Sequence, residues 1–215
     1  MTPFQLVDPS FPVVVSGPSG VGKTVLCQQL CRRLPRTVLS VSATTRAPRA
    51  EERDGESYFF WSMERFETER EAGGLAESAL VHGHWYGTPR RWLDDQLAAG
   101  RCVILNIDVQ GGKSIRSAYP DAVLAFILPP SREALARRLR GRASDAEEEV
   151  RRRLRTAEEE FRSLPDYDYA VVNDVLETAA EELIGIVRGE RTRVSRRVPP
   201  GWSPARAWRD GEEEA

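Results

Sequence analysis

The sequence has little lysine, histidine and cysteine, and it has no long apolar run. Among 31 basic residues only Lys23 and Lys113 are lysines, so any lysine stands out against an arginine background. Cys27 and Cys31 stand four apart on an expected helix, but a closed zinc site would need further ligands and the chain has only two histidines, so small residues packed in a helix interface are favoured over zinc. The odd number of cysteines favours reduced thiols. Crossing a membrane needs about 18 consecutive apolar residues, which the chain lacks, and residues 1–12 lack the layout of a signal peptide. These absences predict a cytoplasmic protein with no membrane partner.

The composition is that of an ordinary globular domain. The 215 residues are 40% hydrophobic and 30% charged, which allows a sizeable core and a well-solvated surface. The net charge of −2 gives no overall attraction to nucleic acid, so no nucleic-acid partner is predicted. The length suits one α/β domain with small insertions, and it leaves the oligomeric state open.

Strand-like segments that are nearly all apolar alternate with helical patterns along most of the chain. Such strands, separated by helices, are typical of a parallel sheet covered on both faces. The expected strands are 12–15, 37–41, 102–107, 122–128 and 169–172. The expected helices are 22–34, 110–118, 131–140, 145–164 and 177–191. The pattern therefore predicts an α/β, three-layer fold with a parallel core sheet.

Three stretches break this alternation. Residues 43–93 are richer in aromatic residues and Gly-containing turns, which predicts an inserted subdomain of a few antiparallel strands with a helix over 63–72. Residues 141–153 form a smaller insertion between two helices. Residues 192–215 contain prolines, arginines and a terminal acidic run, and we expect a poorly ordered, solvated tail. The core would then comprise 1–42, 94–140 and 154–191.

A glycine-rich turn follows the first expected strand and precedes the first expected helix. It fits the pattern G-x-x-x-x-G-K-[ST], in which backbone N–H groups and the helix N-terminus surround nucleotide phosphates. Lys23 would reach the β- and γ-phosphates as a compact charge, and the Thr24 hydroxyl would face Mg²⁺. A lysine here argues against a chance turn, whereas Lys113 follows no such loop and is expected on a helix surface. The predicted ATP-binding residues are Gly17, Pro18, Ser19, Gly20, Val21, Gly22, Lys23 and Thr24.

Charged residues of the larger insertion indicate a second substrate. Arg46 and Arg49 flank a proline turn, so together they can hold a phosphate dianion, and Tyr58 can add a hydroxyl. Glu77 lies in a strand of small residues, where its carboxylate can accept two N–H bonds from an edge such as guanine N1 and N2. From the residues alone, an exposed strand carboxylate is the stronger reading of Glu77.

Seven segments together resemble the guanylate kinase family. They are SVSATTRAPR, GESYFF, HWYGTP, IDVQG, ILPPS, RLRGR and VVND, which occur in that family's order and spacing over residues 11–191. The resemblance implies a nucleoside-monophosphate kinase that transfers the γ-phosphate of ATP to GMP with Mg²⁺. It also implies that 43–93 is an NMP-binding subdomain and that 141–153 is a small lid.

The resemblance assigns roles to residues at matching positions. The GMP phosphate would be held by Arg46, Arg49, Tyr58 and Tyr86. The guanine would be read by Ser42, Glu77, Thr88 and Asp108. Catalytic cations would be Lys23, Arg138, Arg142 and Arg153, and Asn173 would lie near the adenine of ATP. For Arg153 a solvated helix face is the alternative, because Glu149 precedes it by one helical turn.

Asn106 is the main departure from the family pattern. The family usually carries an acid there that organises Mg²⁺ or its waters, and asparagine brings no charge, so Mg²⁺ would be held less tightly. Activity is expected to persist, with the phosphates and Thr24 carrying the metal. The alternatives are a binding module with weak or no catalysis, or a kinase acting on a related phosphate ester or modified nucleotide. Smaller departures are Glu51, expected to be solvated, Ala143 in the lid, and Trp85 before Tyr86.

Overall fold

The computed structural model describes residues 6–81, 83–140 and 147–198. Within these ranges the strands are β1 (Pro12–Ser16), β2 (Thr37–Leu39), β3 (Ala43–Thr44), β4 (Phe59–Phe60), β5 (Leu75–Val81), β6 (His84–Pro89), β7 (Cys102–Asn106), β8 (Val123–Leu128) and β9 (Tyr169–Val172). The α-helices are α1 (Lys23–Arg33), α2 (Met63–Glu71), α3 (Arg90–Ala98), α4 (Val109–Ala118), α5 (Arg132–Arg140), α6 (Glu147–Phe161), α7 (Leu176–Thr192) and α8 (Val194–Arg197).

The larger sheet has five strands in the order β2-β7-β1-β8-β9, and every neighbouring pair is parallel. Its central strands are nearly all apolar, as expected for strands that helices cover on both faces. Val13 and Val15 of β1 belong to a buried cluster with residues of α1 and α7, whereas Val14 belongs to a second cluster with Ile115 of α4. This layering confirms the predicted α/β fold with a parallel core sheet.

The smaller sheet has four strands in the order β4-β3-β6-β5 and carries α2. The pairs β5–β6 and β3–β6 are antiparallel, as predicted. The prediction is wrong for β3 and β4, which are parallel. Residues 45–58 connect them as a crossover rather than as a hairpin turn, so both strands run in the same direction. Phe66, which is fully buried, anchors α2 between the rings of Trp61 and Trp85.

Helix α3 was not predicted, and it crosses the expected limit of the insertion at residue 93. Leu93 is fully buried in the same cluster as Val14 and Ile115, so this helix covers the core sheet. The division of the chain into core, subdomain and lid otherwise stays a prediction. No helix among the described residues is long and apolar enough to cross a membrane, and the cytoplasmic location also stays a prediction.

The C-terminal segment is ordered further than the sequence predicted. Glu190 is 5% exposed and accepts hydrogen bonds from the Tyr169 hydroxyl at 2.6 Å and from Arg196 Nε at 3.0 Å. A buried carboxylate needs such partners, and this requirement holds α8 against the end of α7. The expectation of a poorly ordered tail is therefore wrong for 194–197, while residues 199–215 lie outside the described part of the chain.

Candidate active site

The phosphate loop, residues 17–24, connects β1 to α1 in the strand–turn–helix context that its motif requires. Gly17 and Gly22 have φ values of 137° and 101°, which are costly for other residues. A Cβ at Gly17 would lie 2.3 Å from the carbonyl oxygen of Ile127, and one at Gly22 would lie 2.5 Å from Nδ2 of Asn173. The two glycines therefore let the loop curl tightly against β8 and β9.

Lys23 and Thr24 begin α1 at the end of the loop. The Lys23 ammonium donates to the carbonyl oxygens of Gly17 and Pro18, so it lies across the loop. The Thr24 hydroxyl accepts a hydrogen bond of 3.3 Å from Nδ2 of Asn106, at the end of the neighbouring strand β7. Asn106 is thus placed against Thr24, in the position where the family usually carries an acid.

Asn173 and Arg138 brace the loop from the other side. Asn173, which is 5% exposed, donates from Nδ2 to the carbonyl oxygen of Val21 at 2.7 Å. Arg138 of α5 donates from Nη2 to the carbonyl oxygen of Asn173 at 2.8 Å. Asn173 thus holds the main chain of the loop directly and Arg138 holds the main chain of Asn173, two contacts that the sequence did not predict. A cleft of about 440 Å³ opens beside them and is lined by Pro130, Ser131, Ala134, Arg137, Arg138 and Asp174.

Glu77 and Thr88 face each other across the β5–β6 pair. The Thr88 hydroxyl donates to Oε1 of Glu77 at 2.7 Å, and Glu77 is only 7% exposed. Burial, partly opposed by the Thr88 bond and reinforced by the charge of Asp108, raises the pKa of Glu77 to about 7. The reading of Glu77 as an exposed strand carboxylate is therefore wrong. Ser42 lies between β2 and β3, half-buried.

Asp108 links this pair to the phosphate loop. Its carboxylate caps α4 by accepting from the Gly111 N–H at 2.8 Å, and its carbonyl oxygen accepts from the Ser16 hydroxyl at 3.2 Å. A Cβ at Gly111 would lie 3.0 Å from Oε2 of Glu77, so a glycine leaves that carboxylate its space. Ser16 is the last residue of β1, and the phosphate loop follows it. The carboxylates of Glu77 and Asp108 therefore lie at the same edge of the larger sheet as the phosphate loop.

Arg46 is the centre of a second polar cluster. Its Nη2 donates to both carboxylate oxygens of Glu52, at 2.7 and 2.9 Å, and its Nε donates to the Tyr86 hydroxyl at 3.3 Å. The guanidinium carbon lies 5.5 Å from the ring centroid of Tyr58. Arg49 is exposed, and its main-chain N–H donates to Glu52 at 2.8 Å. The structure thus brings Arg46, Tyr58 and Tyr86 together, with Glu52 as an addition that sequence reasoning missed.

The remaining predicted cations lie in or near the expected lid. Arg153 of α6 pairs with Glu149 at 3.2 Å, the one-turn spacing noted in the sequence. Residues 141–146 of the expected lid, which include Arg142 and Ala143, lie outside the described residues. Lys113 is on the surface of α4, where it pairs with Asp166 at 3.0 Å, in agreement with the prediction for this lysine.

Glu160 is a further carboxylate that nothing in the sequence distinguishes from its acidic neighbours. Its Oε2 is buried without a hydrogen-bond partner among the described residues. Burial raises the pKa of Glu160 to about 7; the charge of Lys23 acts in the opposite direction, and that of Asp108 adds to the rise. The Tyr167 hydroxyl is likewise buried, and burial, partly opposed by its interaction with the Ser16 hydroxyl, raises its pKa to about 12. Both groups make the region near Lys23 and Asp108 polar, and the pKa of Glu160 lies near neutral pH.

Comparisons with known proteins match nearly the whole chain. The family model described as "Guanylate kinase" matches residues 10–190. The guanylate kinase of Anaeromyxobacter dehalogenans is 50% identical over 194 residues, covering 89% of this chain and 86% of that protein. The guanylate kinase of Aromatoleum aromaticum is 45% identical over 181 residues, covering 84% and 89%. The crystal structure of guanylate kinase from Anaplasma phagocytophilum superimposes with a TM-score of 0.74 at 34% identity, covering 90% of this chain and 92% of that one.

Proposed function

The chain belongs to the guanylate kinase family, and from this premise we propose which of its residues carry the family's reaction. It is an ATP:GMP phosphotransferase that converts ATP and GMP to ADP and GDP. One observation supports the residue assignment above all: the phosphate loop, the buried carboxylate of Glu77 and the half-buried Asp108 lie at one edge of the sheet, and Ser16 bonds to the main chain of Asp108. No observation favours the binding-module or phosphate-ester alternatives.

ATP binds through the phosphate loop. The N–H groups of residues 17–24 and the N-terminus of α1 surround the phosphates, and Lys23 exchanges the loop carbonyls for β- and γ-phosphate oxygens. Asn173 and Arg138 keep the loop in its binding shape through the carbonyl oxygens of Val21 and Asn173. The cleft beside Pro130 and Asp174 receives the adenine.

GMP binds in the inserted subdomain. Guanine N1–H and N2–H₂ donate to the carboxylates of Glu77 and Asp108, with Thr88 and Ser42 completing the contacts. Adenine lacks that pair of donors, so it would leave buried acceptors without partners, which is the basis of base selection. The GMP phosphate binds the cluster of Arg46, Arg49, Tyr58 and Tyr86.

Mg²⁺ fits the site as a metal held mainly by substrate. The Thr24 hydroxyl would supply a neutral oxygen ligand, and Asn106, whose Nδ2 donates to it at 3.3 Å, would accept a hydrogen bond from a metal-bound water. The described residues contain no group of three or more His, Cys, Asp or Glu side chains able to hold a metal ion. Mg²⁺ in nucleotide sites commonly takes few protein ligands beside the phosphates, so this donor set suits it. When bound, the ion neutralises charge on the β- and γ-phosphates. Asn106 would help to fix the Thr24 hydroxyl through the hydrogen bond from its Nδ2.

The transferring phosphoryl group needs cations more than it needs a base, because charge develops on its equatorial oxygens. Lys23 supplies one cation from the loop. Arg138 supplies another from α5, and Arg153 exchanges Glu149 for the phosphoryl group. Arg142, outside the described residues, completes the predicted set. Closure of the lid over both nucleotides would exclude water and so prevent hydrolysis of ATP.

The test is ADP formation from Mg·ATP with GMP, dGMP, AMP, CMP and UMP offered separately. We expect turnover with GMP, or with GMP and dGMP, and none with the other nucleotides. Comparable rates with AMP would contradict the assignment of Glu77 and Asp108 to base recognition. Binding of ATP without turnover of any acceptor would contradict the kinase function itself.

A further inference from the structure

Two adjacent glutamates, Glu51 and Glu52, follow Arg46 and Arg49, and they differ in exposure and in contacts. Glu51 is exposed, as the sequence predicted. Glu52 is turned inward: its side chain is 18% exposed, and that of its partner Arg46 is 15% exposed. Its carboxylate accepts from Nη2 of Arg46 at 2.7 and 2.9 Å and from the main-chain N–H of Arg49 at 2.8 Å. One carboxylate therefore joins the two arginines predicted to hold the acceptor phosphate.

Arg46 is held on several sides at once. Besides Glu52, its Nε donates to the Tyr86 hydroxyl at 3.3 Å and its Nη1 donates to the carbonyl oxygen of Ala47 at 2.7 Å. The ring of Tyr58 lies under the guanidinium. The hydrogen bonds from Arg46, followed by that from the Arg49 N–H, lower the pKa of Glu52, so the carboxylate is ionised at neutral pH. A long, flexible side chain is thereby confined to one orientation.

Glu52 is itself fixed by its own turn. Its main-chain N–H donates to the carbonyl oxygen of Arg49 at 3.0 Å, while its carboxylate accepts from the N–H of the same residue. Expelling the carboxylate would break charge-assisted bonds to Arg46 and a bond to the main chain, which is a large cost for an incoming phosphate. The geometry therefore favours a permanent partner of Arg46 over an occupant that GMP displaces.

We propose that Glu52 is a positioning residue that holds Arg46 in the orientation required by the phosphate of GMP. This inference rests on the proposed function. Glu52 takes Nη2, the Tyr86 hydroxyl takes Nε and the Ala47 carbonyl oxygen takes one N–H of Nη1, so the second N–H of Nη1 is the group that this orientation offers to the phosphate, beside the hydroxyls of Tyr58 and Tyr86. Arg46 then loses little side-chain freedom when GMP binds, because that freedom has already been lost in the free protein.

The matched pair of variants is Glu52→Gln and Glu51→Gln. Binding is measured by calorimetry with GMP and with guanosine, which lacks the phosphate, and kcat and KM are measured with Mg·ATP. We expect Glu52→Gln to weaken GMP binding and raise its KM about tenfold, since the charge-assisted bonds that orient Arg46 are weakened. Guanosine affinity, ATP affinity and kcat should stay within about twofold of the parent, because none of them depends on the orientation of Arg46. Glu51→Gln should leave all values unchanged.

Three outcomes would overturn the proposal. Tighter GMP binding in Glu52→Gln would show that the carboxylate competes with the phosphate. An equal loss of guanosine binding would show that Glu52 only maintains the fold of the subdomain. Unchanged GMP binding would show that Arg46 is oriented without it.

A double-mutant cycle tests whether Glu52 acts through Arg46. In an Arg46→Lys background we expect Glu52→Gln to have less than about a twofold further effect on GMP affinity, because coupled residues are not additive. Additive losses would contradict action through Arg46. Failure of the proposed function is distinguishable, since it appears in the unaltered protein as absence of GMP binding and turnover, whereas failure of this inference appears only in the variants.

Discussion

The phosphate loop and the inserted subdomain are expected to hold their phosphates by different physical means. The loop uses main chain: Gly17 and Gly22 curl it against β8 and β9, and Asn173 braces it through the carbonyl oxygen of Val21. The subdomain uses side chains, with Arg46 held by Glu52 on one of its edges. A main-chain cradle is specified by a few glycines in one segment. A side-chain site depends on partner side chains that come from separate segments of the chain.

The largest effect is expected when Lys23, the cation at the start of α1, is replaced. Lys23→Ala should lower kcat by about 10²- to 10³-fold, because a preorganised charge at the transferring phosphoryl group is lost. Steady-state ADP formation measures it. The control is Lys113→Ala, which removes a surface lysine paired with Asp166 and should leave kcat unchanged. A loss smaller than about tenfold in Lys23→Ala would mean that the loop main chain carries the phosphates nearly alone.

The next effect concerns the buried carboxylate of the subdomain. Glu77→Gln should lower kcat/KM for GMP by about 10²-fold, because the amide presents N–H groups to guanine donors. The KM for ATP should not change, which serves as the control within the same experiment. If the KM for GMP were unaltered, guanine would not be read at Glu77, and the division of labour between loop and subdomain would fail.

Measuring guanosine binding over a range of pH tests separately whether the Glu77 carboxylate of the subdomain recognises guanine. Glu77 has its pKa raised to about 7, so below that pH it carries a proton and accepts poorly from guanine. Guanosine affinity should therefore fall as pH decreases below 7, by up to about tenfold per pH unit. Guanosine is used because its lack of phosphate removes the titration of that group. Glu77→Gln should flatten the profile, and an unchanged profile in that variant would assign the titration to another group such as Glu160.

The smallest effect is expected at Asn106. Asn106→Asp should reduce the Mg²⁺ concentration for half-maximal activity about threefold, because a carboxylate attracts the hydrated ion more strongly than an amide. Mg²⁺-dependent ADP binding, followed by calorimetry, should shift in the same direction without involving turnover. An unchanged Mg²⁺ dependence in both measurements would place Asn106 outside the metal's surroundings and leave Thr24 with the phosphates as the whole site.

The core of the fold could be predicted because its signals are local. Residues 12–15 and 169–172 are apolar enough to indicate buried strands, and the observed β1 and β9 match them within one residue. The phosphate loop could be predicted for the same reason, since its glycines and lysine lie within one short segment. The misses have a common cause. The parallel pairing of β3 with β4, the burial of Leu93 and the ordering of α8, where Arg196 donates to the carbonyl oxygen of Asp121, all depend on contacts with distant residues.

In the candidate site, too, some residues could be identified from the sequence and others only from the structure. Arg46 and Glu77 were identified from their neighbours in sequence and from the family resemblance. Glu52 was overlooked in favour of Glu51, because sequence spacing does not show which of two adjacent carboxylates turns inward. Only the turn that brings Glu52 back to the Arg49 N–H decides it. Glu160 could not be selected from its helix, since its distinction is burial next to Lys23 and Asp108.

The sequence by itself determined the nucleotide loop, the parallel α/β core and the family, because glycine geometry, apolar runs and motif order are properties of the chain alone. The tertiary structure decided which polar groups meet: Glu52 with Arg46, Asn106 with Thr24, and Asn173 with the loop carbonyl of Val21. It also decided how far burial shifts the pKa of Glu77. Electrostatic energies depend on distance and on exclusion of water, and neither quantity exists until the chain has folded.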